Sequence, residues 1–137
     1  ISINAAGGTA PLEYSIDGGN NYSNSNSFTN LAGAVYAVRI RDANGCTKDT
    51  SISLEPIVVH WTGTVNNNWH NAGNWSSNKV PDALTHVVID GGTPNVCMIG
   101  TANAEAASLR VKTAADIEIA TGFALNLSAN CGTLPPE

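Results

Sequence analysis

Apolar side chains at every second position, interrupted by Gly, Asn and Asp, are what most restrict the fold of this chain. Leu12, Tyr14 and Ile16 form one row, Tyr36, Val38 and Ile40 a second, and Ile52 and Leu54 a third. Residues i and i+2 point the same way on a strand but not on a helix, so each row needs a β-sheet. Turn clusters separate the rows at Ala6–Pro11, Asp17–Asn21 and Asp42–Gly45. The last contains Asn44-Gly45, whose ease at positive φ favours a hairpin. Short strands at this spacing predict a small antiparallel sandwich of immunoglobulin-like form. Ile1, Ile3 and Ala5 already alternate, so the sequence reads as an excerpt of a longer chain.

The pattern changes at Glu55-Pro56, dividing the chain into segments 1–56 and 57–137. Trp61, Trp69 and Trp75 follow closely, set among Asn, Gly and Ser, and then an apolar strand covers His86–Asp90. From Leu109 the couples Leu109/Val111, Ile117/Ile119 and Leu125/Leu127 recur every eight residues. Two inward side chains per strand and corner fit the faces of a β-solenoid or β-helix-like segment. A meander of short hairpins fits the same pattern. The tail Cys131–Glu137 covers the last face, or the next turn lies beyond it; the segment is read as truncated.

Charge narrows the partners. Only 12% of residues are charged and the net charge is −5, so the polar load falls on neutral turn-forming side chains. A 42% hydrophobic share is too high for a disordered chain. No basic stripe exists to neutralise a phosphate backbone, which argues against nucleic acid. No apolar run is long enough for membrane insertion. Cys46, Cys97 and Cys131 show no zinc-ligand spacing. The odd count suggests one bridge, with Cys97–Cys131 the candidate pair, and one thiol whose partner lies elsewhere.

The run Gly7-Gly8-Thr9-Ala10-Pro11-Leu12-Glu13-Tyr14-Ser15-Ile16-Asp17-Gly18-Gly19, with Phe28–Leu31, Tyr36–Val38 and Asp42–Cys46, resembles the SprB-type repeat of Bacteroidetes surface adhesins. The likeness covers nearly all of residues 1–55. It departs at Leu12-Glu13-Tyr14, where Tyr-x-Tyr is common, and at Ala34-Val35, where Gly-Thr is usual. Trp61–Thr64, Trp69–Ser76, Val80–Asp82 and Val87–Asp90 resemble the opening of secreted Bacteroidetes passenger regions, over about residues 60–128. That likeness implies a right-handed parallel β-helix and export by type IX secretion, directed by a C-terminal domain absent here. Together the two imply a secreted or cell-surface location and an adhesive role, possessing neighbouring domains of the same long chain as partners.

Candidate sites were weighed against plainer roles. Asp17, Asp42 and Asn44 offer hard oxygens for Ca²⁺ if their loops meet, but fall short of the roughly six to eight that the ion takes. Capping their own turns is the preferred reading, and no cofactor is expected. The three tryptophans are candidates for a carbohydrate platform, against packing with each indole N–H on a loop carbonyl. His60, His70 and His86 are scattered, and Asp82 with Asp90 is the only suggestive acid pair. No nucleophile elbow, phosphate loop or HExxH is present, so the chain is read as a non-enzyme. The expected function is a structural and adhesive segment, which a surface polysaccharide or another adhesion target would engage. The alternatives are a carbohydrate-binding module and a non-catalytic arm of a secreted polysaccharide-degrading enzyme.

Overall fold

The computed structural model describes residues 1–128. It is all-β, with one short 3-10 turn and no α-helix among the described residues. No helix there is long and apolar enough to cross a membrane. The chain divides into two compact units that meet at Glu55 and Pro56.

In the first unit, β1 (Glu13–Ser15), β2 (Val35–Arg41) and β3 (Thr47–Ser53) form an antiparallel sheet in that order. The row Tyr36, Val38 and Ile40 shares one face of β2, and Val38 is 2% exposed. The other face carries Arg39 and Arg41, each opposite an acid on a neighbouring strand. Arg39 grips both oxygens of Asp49 at 2.6 and 2.8 Å, and Arg41 holds Glu13 Oε2 at 2.6 and 3.0 Å. Arg41 also lies over the Tyr22 ring, 4.1 Å from its centroid. Exposed pairs of this kind are screened by solvent and add little, so they set register more than stability.

The β2–β3 connection uses its Asn-Gly pair in a particular way. Asp42 N–H bonds to Cys46 O at 3.0 Å, and Gly45 N–H bonds to Asp42 O at 2.9 Å. Gly45 has φ +82°, and Asn44 is not among the positive-φ residues. The loop is therefore a turn closed by a glycine bulge, rather than a two-residue turn with both centres left-handed. The expected first strand is reduced to a single bridge, Ser2 with Ser27, which still buries Ile3.

The second unit pairs in parallel. β4 (Ile57–Trp61), β5 (Thr85–Ile89) and β8 (Ser108–Val111) form one sheet, β6 (Cys97–Ile99) and β9 (Ile117–Ile119) another, and β7 (Ala104–Ala106) and β10 (Leu125–Leu127) a third. From β5 onward each strand pairs with the one three places later. His86 faces Ser108, Cys97 faces Ile117 and Ala104 faces Leu125. The couples eight residues apart thus belong to three different sheets, which excludes a hairpin meander for β8, β9 and β10.

Columns of inward side chains run across these pairings, such as Val59–Val87–Leu109 and Trp61–Ile89–Val111. Burying each aliphatic side chain contributes about 1.5–3 kcal/mol. Burial is complete at Cys97, Ile99 and Ala106 but lapses at Val111, Ile119 and Leu127, which are 41, 49 and 54% exposed. The outer edge of β4 is closed differently, by antiparallel contact with residues 74–76.

Candidate functional site

The densest group of unusual residues is the segment between β4 and β5. Trp61, Trp69 and Trp75 are 1, 0 and 1% exposed and sit in one core cluster. Trp75 stands between the other two, edge-on to both, with centroid distances of 5.0 Å to Trp61 and 4.7 Å to Trp69. Trp75 Nε1–H donates to Trp69 O at 2.7 Å, and Trp61 Nε1–H donates to Asn95 O at 2.8 Å. Trp69 Nε1 has no hydrogen-bond partner among the described residues, so two of the three indoles follow the expected pattern there. Stacking on a sugar needs an open indole face. None of these three offers one, and the carbohydrate platform is corrected on that ground.

Asn74, fully buried, organises the segment. Its Oδ1 accepts from Val65 N–H and Asn66 N–H, both at 3.0 Å, and its Nδ2 donates to Asn66 Oδ1 at 2.8 Å and Asn68 O at 2.9 Å. Every polar capacity of the amide is satisfied. Just before it, Asn71 caps the 3-10 turn Ala72–Asn74 by accepting from Gly73 N–H. Gly63 has φ +57°, and a Cβ there would lie 2.7 Å from Asn95 O and 2.8 Å from Trp61 Nε1. Glycine is required because the indole and Asn95 close over that backbone; Asn95 Nδ2 also donates to Gly63 O at 2.7 Å. Sequence reasoning passed over Asn74, Asn95 and Gly63, since Asn and Gly read there as ordinary turn residues.

The proposed calcium ligands are not brought together. Asp17 bridges to Ala37 and Asp42 follows Arg41, which places them at opposite ends of β2. Asp17 accepts from the backbone N–H of Asn21 and Asn20, from Ser15 Oγ and from Asn21 Nδ2. Those bonds, led by Asn21 N–H and Ser15, hold its pKa far below the usual carboxylate range. Asp42 accepts from Thr9, Cys46 and Asn44 N–H, which likewise lower its pKa. Asn44 Nδ2 donates to Thr9 Oγ1 at 2.9 Å. These acids fasten turns, and their lone pairs are engaged. Among the described residues no three His, Cys, Asp or Glu side chains gather as metal ligands would.

Cys97 is a free, buried thiol on β6, and burial pushes its pKa up to about 12. The expected Cys97–Cys131 bridge involves Cys131, which lies outside the described residues. Cys46 is free and exposed.

The histidines are separate. His60 Nδ1 lies 2.6 Å from Asp90 Oδ2, and Lys112 Nζ lies 3.1 Å from Asp90 Oδ1. Chiefly the His60 bond, then Lys112, lower the Asp90 pKa. His86 is buried beside Ser108 Oγ at 2.8 Å, and burial lowers its pKa. His70 meets Thr101 and Asn103 instead. Asp82 accepts from Thr85 Oγ1 before β5 begins while Asp90 follows its end, so this acid pair does not converge.

These features define an all-β chain whose second unit is a parallel stack organised around a tryptophan–asparagine core. A family model described as a domain of unknown function, DUF8693, matches residues 60–133, and the chain belongs to that family. Comparison with curated proteins and with solved structures gives no match.

Proposed function

We propose that this chain is a non-catalytic structural and adhesive segment of a larger secreted cell-surface protein. In this reading a SprB-like sandwich repeat leads into the first coils of a β-solenoid, and the parent protein leaves the cell by type IX secretion. The carrying observation is that the residue types able to bind or react are engaged in holding the fold. The tryptophans are core, Asp17 and Asp42 fasten turns, and Arg39 and Arg41 lock strand register. The solenoid reading is supported by parallel pairing with the third strand onward and by stacked apolar columns. The sandwich reading is supported by an antiparallel sheet with Val38 buried, and by burial of Ile3, whose backbone N–H bonds to the sequence-distant Asn26 O. Such stacking builds length from modules that bury their own cores.

The test is made on cells that produce the protein. Antibodies to the chain should label intact cells, and deleting the encoding segment should reduce attachment to surfaces at unchanged growth rate. Labelling only after lysis, or unchanged attachment, overturns the reading. A catalytic domain elsewhere in the parent reading frame would make the chain an arm of a secreted polysaccharide-degrading enzyme.

A further inference from the structure

β3 ends its sheet, and every residue in it except Ile52 is exposed. Leu54 N–H bonds to Ala34 O at 2.9 Å, and the register pairs Tyr36 with Ile52 and Val38 with Thr50. Antiparallel ladders alternate, so Lys48, Thr50 and Ile52 exchange backbone bonds with β2. Thr47, Asp49, Ser51 and Ser53 then turn their N–H and C=O groups away from the sheet. The opposite edge differs: Tyr14 of β1 exchanges both backbone bonds with Ser23, each 2.8 Å. Exposed edges are commonly blunted by charged side chains, proline, bulges or short length; of these, β3 carries only the charges of Lys48 and Asp49. β3 runs seven residues with no proline.

We propose that this edge pairs antiparallel with β3 of a second copy of the chain, about a two-fold axis through Thr50. Outward-turned residues must meet outward-turned residues, so the axis passes through a residue rather than between two. Centred on Thr50, the whole strand overlaps. Thr47 then faces Ser53, Lys48 faces Ile52 and Asp49 faces Ser51, so no like charges meet. Centring on Asp49 opposes two carboxylates, and centring on Lys48 opposes two ammonium groups, both destabilising. Centring on Ser51 leaves Thr47 and Lys48 without partners. The strand's own charges therefore select the full-length register. A contact one strand wide belongs with weak interfaces, those burying less than about 1,200 Å². It acts where copies are crowded, and it holds whether or not the chain is an adhesin.

Cross-linking tests the register in a Cys46→Ser, Cys131→Ser background. Non-hydrogen-bonded antiparallel neighbours have Cα atoms about 4.5 Å apart, within the roughly 4.4–6.8 Å that a disulfide spans. Mild oxidation of Thr50→Cys should give a covalent dimer. Lys48→Cys and Ile52→Cys should give none, because each would sit about 14 Å from its equivalent along the strand. Sedimentation equilibrium on the unaltered chain should show a reversible dimer. Thr50→Lys, an exposed change, should raise its dissociation constant by up to about fivefold by opposing two ammonium groups, with the thermal midpoint unchanged. A chain that stays monomeric to millimolar concentration, equal cross-linking at all three positions, or a dimer indifferent to Thr50→Lys would overturn the proposal.

Discussion

Trp75 donates its indole N–H to the main-chain oxygen of Trp69, 2.7 Å away, while its ring meets the Trp69 ring edge-on at 4.7 Å. One side chain thus ties down the backbone of the segment and fills the space beneath it. Trp75→Ala should lower the stability of the second unit by about 3–5 kcal/mol, the range for emptying a buried aromatic site. Trp75→Phe, which keeps a ring but loses the donor, should fall between Ala and the native residue. Urea unfolding followed by tryptophan fluorescence reads the effect, since all three tryptophans lie in that unit.

Asn74 calls for a sharper comparison. Asn74→Ala strips acceptors from the Val65 and Asn66 N–H groups and donors from Asn66 Oδ1 and Asn68 O, and should cost about 1–3 kcal/mol in all. Asn74→Asp keeps the acceptor but points an oxygen at Asn66 Oδ1 and Asn68 O, where Nδ2 now donates. The aspartate should therefore destabilise at neutral pH and recover in part under acid. Equal stability for native and aspartate chains at pH 7 would refute this account of the hub.

Sequence and structure agree where alternation is carried by large apolar residues. Tyr36, Val38 and Ile40 marked β2, and the three late couples fall on β8, β9 and β10. Alternation says which side chains share a face but is silent on the partner strand, so hairpins and parallel stacking looked alike. β6 and β7 went unseen because Cys97 and Ala104 with Ala106 give too little apolar contrast against turn-rich surroundings. The acids Glu13 and Asp49 were legible only in retrospect, as charges on strands beside Arg39 and Arg41. Packing was the plainer reading of the tryptophan spacing; the asparagine that organises them gave no such signal, since a buried Asn looks like any other Asn in the sequence.

Acid should weaken the first unit through its carboxylates. Asp17, Asp42 and Asp49 all have folded pKa values below the ordinary 3.8, through turn N–H bonds for the first two and Arg39 for the third. A depressed carboxylate stabilises the fold above its unfolded pKa, and the benefit fades as pH falls toward the folded value. Stability of this unit should be level above about pH 5 and decline below 3.8. Tyr14, Tyr22 and Tyr36 are the only tyrosines, so tyrosine emission on thermal unfolding tracks this unit. Asp17→Asn should flatten the decline. A midpoint independent of pH between 5 and 2 would argue against it, within about the range where carboxylates titrate.

The two described thiols should react very differently. Cys46 is exposed, whereas Cys97 is buried with its pKa pushed up to about 12. Alkylation of the native chain, mapped by mass spectrometry, should modify Cys46 promptly and Cys97 only after denaturant is added. Rapid native labelling of Cys97 would contradict the packing of β6 described above.

Closure of the outer edge of β4 by residues 74–76 gives the parallel stack a polarity. Its own tryptophan segment lies along the His60–Gly63 end of β4, whereas β8, β9 and β10 each come last in their sheets among the described residues. In the proposed solenoid reading, gene duplication would lengthen the stack downstream of that segment, in steps of about 20–22 residues, the spacing between paired strands.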